Sequence, residues 1–270
     1  MIDQETIRKL RELNLSEVVD ILQVQERDTV TTLLPFDERM KLIIDFLYTQ
    51  KHNNRITRLI KAAKFRFPNA ELSSIIYQGR DLDRGIIQEL ATCLFIKNAT
   101  NIIFEGYTGS GKTFLACAIG NEACCKGYKT RYIRLPDLLM EFEEAKVTSS
   151  RHFTKLLDKY SKYQLLIIDE WLMESFSKEE EHFIFELIER RYGLNSTIFC
   201  TQHKANEWIN ILGDDVHAEA INDRIVHNAY FIETGKTNMR ESLVLQHNRV
   251  KAHGYWALAR FCMLYNNDYF

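Results

Sequence analysis

The stretch GYTGSGKT, residues 106–113, constrains this chain more than any other. It sets Gly106, Gly109 and Gly111 within six residues, in a chain with only 11 glycines, and follows them with Lys112 and Thr113. The apolar run NIIF precedes it and KTFLACAIGNEACCKG follows, so the glycines join a strand pattern to a helix pattern. Glycines let successive N–H groups turn inward around an anion, and the helix N-terminus adds a favourable dipole. Lys112 supplies a compact charge for β- and γ-phosphates, and the Thr113 hydroxyl a ligand for Mg²⁺. The spacing G-x-x-x-x-G-K-[ST] in this context predicts a cradle for ATP and Mg²⁺. Its contacts come from Gly106, Thr108, Gly109, Ser110, Gly111, Lys112, Thr113 and Phe114.

The pattern around the loop predicts an α/β fold. NIIFEG, KTRYIRL, YQLLIIDE and STIFCTQ read as strands, and the third is apolar throughout, as a strand buried on both faces should be. Helical patterns separate them. PDLLMEFEEAK opens with Pro136 in its first turn, and SKEEEHFIFELIERRYG carries a capping box from Ser177 to Glu180 and ends at Gly193. Strands alternating with helices imply a parallel sheet. The region before it is helical, with one long amphipathic pattern opened by Pro35 and ended by Pro68. The expected division is a helical N-terminal domain at 1–85, a nucleotide-binding domain at 86–235 and a tail at 236–270.

Composition excludes several classes. At 46% hydrophobic and 27% charged, the chain has the profile of a soluble globular protein. No run of 18 apolar residues occurs, so no membrane span is expected. The six cysteines form no C-x-x-C pair and sit largely in apolar runs, as free thiols in a reducing compartment do. The reading is cytoplasmic. A formal charge of −2 predicts no polyanionic partner by itself, so any such partner needs a local basic patch.

Further candidates follow from position. Asp169 and Glu170 end the strand LLIIDE, 57 residues after Lys112, where a doubly wound sheet holds its ligand. Asp169 is expected to hold Mg²⁺ and Glu170 to orient the attacking water. Thr201 and Gln202 end the next strand and are expected to touch the γ-phosphate or that water. Arg224 lies on a late helix and reads either as a surface salt-bridge residue or as an arginine finger for a neighbouring subunit. The segment from Lys51 to Arg66 holds six Lys/Arg and no acid: Lys51, Arg55, Arg58, Lys61, Lys64 and Arg66. It reads either as a solvated face or as a stripe for a nucleic-acid backbone.

In that order these segments, with the flanks LACAIGNEACCKGY and INDRIVHNAYFIE, resemble the IstB-like helper ATPases of bacterial insertion sequences. These are AAA+ proteins close to the helicase loader DnaC. The resemblance covers roughly residues 10–240. It implies an AAA+ core and ATP hydrolysis. It also implies ATP-dependent self-assembly into a homo-oligomer on duplex DNA, and a transposase partner from the same element. Lys112 and Thr113 match the Walker A positions, Asp169 and Glu170 Walker B, Thr201 or Gln202 the first sensor, and Arg224 the arginine finger. Three features depart from the family. Tyr107 stands where proline is common, the residues after Glu170 differ, and the tail runs past the usual end. A DnaC-like helicase loader is the alternative. A small-molecule kinase lacks an arginine-rich lid between Lys112 and Asp169, and a vestigial site is at odds with the intact acids.

Overall fold

The four expected strands pair, together with a fifth, into a single parallel sheet. In the computed structural model, which describes residues 3–80, 82–213, 216–235 and 237–239, they are β1 (Asn101–Glu105), β2 (Thr130–Arg134), β3 (Leu165–Trp171), β4 (Ser196–Thr201) and β5 (Ala229–Glu233). Their order is β2-β3-β4-β1-β5, with every pairing parallel. The ends of β1, β3 and β4 therefore lie side by side, where such sheets bind ligands. The tail expected at 236–270 falls outside the described residues, apart from 237–239.

Among the described residues the helices are α1 (Gln4–Glu12), α2 (Ser16–Arg27), α3 (Thr29–Thr32), α4 (Phe36–Ala63), α5 (Arg84–Ala91), α6 (Leu94–Lys97), α7 (Lys112–Cys125), α8 (Leu135–Thr148), α9 (Ser150–Ser161), α10 (Lys178–Arg191), α11 (Trp208–Leu212) and α12 (Val216–Val226). The chain forms two compact units, Met1–Leu59 and Ile60–Phe270. In the first, Val19 and Ile43 are buried, and the Gln25 amide donates to the Arg39 carbonyl at 3.1 Å.

The second unit has the deeper core. Ile102, Ile103 and Phe104 of β1, and Leu165 to Ile168 of β3, are fully buried, which is why β3 reads as apolar without alternation. One cluster joins the sheet to α8, α9 and α10, with Phe142 stacked on Phe183 at 4.6 Å. On α7, Gly120 admits no side chain, because a Cβ there would sit 2.6 Å from the Phe65 ring. The capping box of α10 forms between Ser177 and Glu180, and a proline occupies the first turn of α8.

Two features differ from expectation. Helix α4 ends at Ala63 rather than at Pro68. Lys64 turns left-handed at φ 56° and Phe65 buries itself, so packing stops the helix before proline has to. Helix α9 is not among the expected elements, although Phe153, Leu156, Leu157 and Tyr160 have helical spacing and the last three are buried.

Candidate nucleotide-binding site

The loop leaves β1 with three backbone conformations open mainly to glycine: φ 151° at Gly106, 85° at Gly109 and 91° at Gly111. At Gly106 and Gly109 space is a second constraint, since a Cβ would collide with Thr234 and Asn238. Ser110 is buried and its hydroxyl lies 2.6 Å from that of Thr234. Lys112 opens α7 and folds back, donating from Nζ to the carbonyls of Gly106 at 2.6 Å and Tyr107 at 2.9 Å. Burial lowers its pKa, opposed by the nearby Cys200 and Asp169. A partly desolvated ammonium held inside a glycine loop is suited to meet an anion. Phe114 packs its ring 6.1 Å from that of Phe67.

The acids come from the end of β3. Asp169 is 3% exposed. Its Oδ2 accepts hydrogen bonds from the Thr113 hydroxyl and the Tyr132 hydroxyl, each at 2.8 Å, and its Oδ1 accepts from the Glu170 N–H at 3.0 Å. The β3–β4 register slips between Ile168 and Trp171, and Glu170 there is left-handed at φ 60°. That conformation costs a side-chain-bearing residue about 1 kcal/mol. It aims the carboxylate at two guanidinium groups, with Arg134 Nη1 at 3.5 Å and Arg66 Nη1 at 3.6 Å. Arg134 also forks Asp137 at 2.6 Å and 2.9 Å, which together with Glu170 raises its own pKa.

At the end of β4 the two polar residues part. Thr201 is 1% exposed and its hydroxyl accepts from the His203 N–H at 3.1 Å. Gln202 reaches the loop, its Oε1 accepting from the Thr108 hydroxyl at 2.7 Å. Arg224 is not brought to the loop of its own chain. It pairs with Glu189, donates to the Ala220 carbonyl at 3.1 Å and lies 5.3 Å from the Phe185 ring centre. Lys51, Arg55 and Arg58 share a face of α4, and Lys61 follows on the same helix. All four, with Lys64, are exposed. Arg66 lies beyond the helix, at Glu170.

These groups match a nucleoside triphosphate and a divalent cation: a glycine cradle, a lysine for the terminal phosphates, and a hydroxyl–carboxylate pair for the metal. The profile of the IstB-like ATP-binding proteins matches residues 8–248. The chain belongs to that family. An insertion-sequence ATP-binding protein of Sinorhizobium fredii is 30% identical over 240 residues, covering 89% of this chain and 96% of that one. The IS1162 ATP-binding protein of Pseudomonas fluorescens is 34% identical over 203 residues, covering 75% and 87%. In fold the chain is similar to the DnaC helicase loader, with TM-score 0.55, 22% identity and 62% of this chain covered by 98% of that one. It is also similar to DnaI, at 0.52, 24%, 61% and 90%. The fold is that of a P-loop AAA+ protein. Among the described residues no helix is long and apolar enough to cross a membrane.

In this IstB-like chain several site residues escape sequence reasoning. Tyr132 and Arg134 sit on β2, whose place beside β3 depends on strand order, and Arg66 reaches Glu170 across 104 residues of sequence. One signal was available for the first two. Tyr132 and Arg134 alternate toward one face at the end of a strand adjoining the acidic one.

Proposed function

We propose that this chain is an ATP-hydrolysing, DNA-binding helper of a transposase encoded by the same insertion sequence. Membership of the IstB-like family and the insertion-sequence relatives support the setting. In this reading Lys112 draws in the β- and γ-phosphates, and Thr113 and Asp169 would hold Mg²⁺, which would supply positive charge beside them. Glu170 orients and polarises the attacking water, and Gln202, fixed to Thr108, senses the terminal phosphate. Thr201, whose hydroxyl accepts from the His203 N–H just past β4, is the other candidate for this sensing role. Arg224 serves a neighbouring subunit within an ATP-dependent homo-oligomer. The basic run on α4 grips duplex DNA through its phosphates.

One contact carries the coupling between DNA and hydrolysis. The last cation of the basic run, Arg66, lies 3.6 Å from the carboxylate of Glu170. A guanidinium that serves either a DNA phosphate or the catalytic acid links the two events.

The test is ATP hydrolysis by the purified protein, alone, with duplex DNA and with single-stranded DNA, and with Lys112→Ala as control. Stimulation by duplex, absent in the control, is expected. A preference for single strands would favour a helicase-loader role instead. Unchanged turnover with either DNA would remove the coupling through Lys51–Arg66.

A further inference from the structure

Arg80 has no part in the site as described, yet it is built against the phosphate loop. Its Nη2 donates to the Ser110 carbonyl at 2.7 Å and to the Thr234 carbonyl at 3.4 Å, and its Nη1 to the Ile76 carbonyl at 3.3 Å. Among the described residues its Nε, which is buried, has no hydrogen-bond partner. Two of its nitrogens lie 3.5 Å and 3.7 Å from the place a Gly111 Cβ would take. With Gly106 and Tyr107 it lines a cavity of about 630 Å³ beside the loop.

Three physical points converge on a role. A guanidinium stays charged in a protein, and half-burial penalises that charge, which lowers the pKa of Arg80. Among the described residues no carboxylate pairs with it; its acceptors are neutral carbonyls. It thus stands one negative charge short, beside a loop suited to phosphates. The third point is peptide geometry. The Ser110 carbonyl and the Gly111 N–H belong to one planar trans unit and point in opposite directions. Holding the carbonyl therefore fixes the direction of that N–H.

We propose that Arg80 is a positioning residue for nucleotide binding. It fixes the Ser110–Gly111 peptide with its N–H toward the phosphates, and its uncompensated charge is matched by them. This rests on the assignment of the loop as the ATP site.

The experiment titrates fluorescent ATP and ADP analogues into the full-length protein and its Arg80→Gln, Arg80→Lys and Lys112→Ala variants, at several salt concentrations. Thermal melts without nucleotide run in parallel. Arg80→Gln is expected to weaken both analogues about tenfold, as loss of a charge-assisted contact does. Its affinity should also depend less steeply on salt, because one cation fewer faces the phosphates. Arg80→Lys keeps the charge without the fork, so it is expected to keep the parental salt dependence and recover part of the affinity. Parental affinity in Arg80→Gln would overturn the proposal. So would equal losses in Gln and Lys variants with unchanged salt dependence, the mark of a structural brace. Should Arg80→Gln fail to fold, a Lys variant that loses the parental salt dependence overturns it alone. If Lys112→Ala binds as tightly as the parent, the site assignment itself fails, and Arg80 with it.

Discussion

Two arginines, one at each edge of the sheet, hold backbone carbonyls with no carboxylate partner among the described residues. Arg191 lies where β3 and β4 begin. It is 2% exposed, and its nitrogens donate to the carbonyls of Tyr160, Tyr163 and Ser196 and to the Thr197 hydroxyl. Burial alone pulls its pKa down to about 9. Arg80 lies where β1 and β5 end, half-buried, with its Nε unused. The difference separates architecture from readiness. Arg191 uses its donors on the chain around the starts of β3 and β4, and its charge is tolerated because the carbonyl dipoles solvate it. Arg80 keeps donor capacity and charge in reserve, at the edge where an anion is expected.

The largest effect expected from breaking this contrast is at Arg191. Arg191→Met leaves several buried carbonyls unpaired, at roughly 3 kcal/mol or more in total. A melt of the nucleotide-free protein should fall by about 10 °C. An unmoved melt would mean that those carbonyls find other donors. At the opposite edge the prediction reverses. Glu170→Gln should slow ATP hydrolysis about a hundredfold or more, as loss of a general base does, and leave nucleotide affinity and melting nearly untouched. Retained turnover would take the water-activating role away from Glu170. Arg80→Gln lies between, with affinity lost and the melt almost unchanged.

The smallest effect sharpens the contrast furthest. Burial lowers the pKa of Lys112, so its charged form is disfavoured by folding. That penalty is fully present below the folded pKa and fades as pH rises through it toward the unfolded value. Lys112→Met removes the penalty at neutral pH. The nucleotide-free variant should melt no lower than the parent while binding no ATP analogue, and a clear drop in its melt would count against a lysine held ready at the expense of stability.

Much of this was legible in sequence because it is local. The glycine loop, the acids ending β3, the capping box at Ser177 and the strand–helix alternation each occupy a few consecutive residues. The rest depends on what lies next to what. Nothing near Lys64 announces a left-handed residue that stops α4 and sends Arg66 to Glu170. Their place at the end of β4 made both Thr201 and Gln202 candidates, and only the path after β4 shows which reaches Thr108. Arg80 stood unremarked between a glycine and an aspartate, because its partners are carbonyls that any sequence would supply.

The close approach of Phe65 to Gly120 ties the stretch after α4 to the helix that opens at the phosphate loop. With 2.6 Å to Phe65 and 2.9 Å to Ile167 from a would-be Cβ, the helix has no slack there. In lines of descent this is a constraint on order. A methyl gained at residue 120 before residue 65 has shrunk overpacks the core, at about 1–3 kcal/mol. After residue 65 has shrunk, the remaining conflict of the same methyl is with the Ile167 Cδ1 at 2.9 Å, the far end of a side chain that can turn aside. Position 120 cannot drift by itself, and the route between a glycine–phenylalanine pair and an alanine–leucine pair runs through the smaller ring-free side chain first.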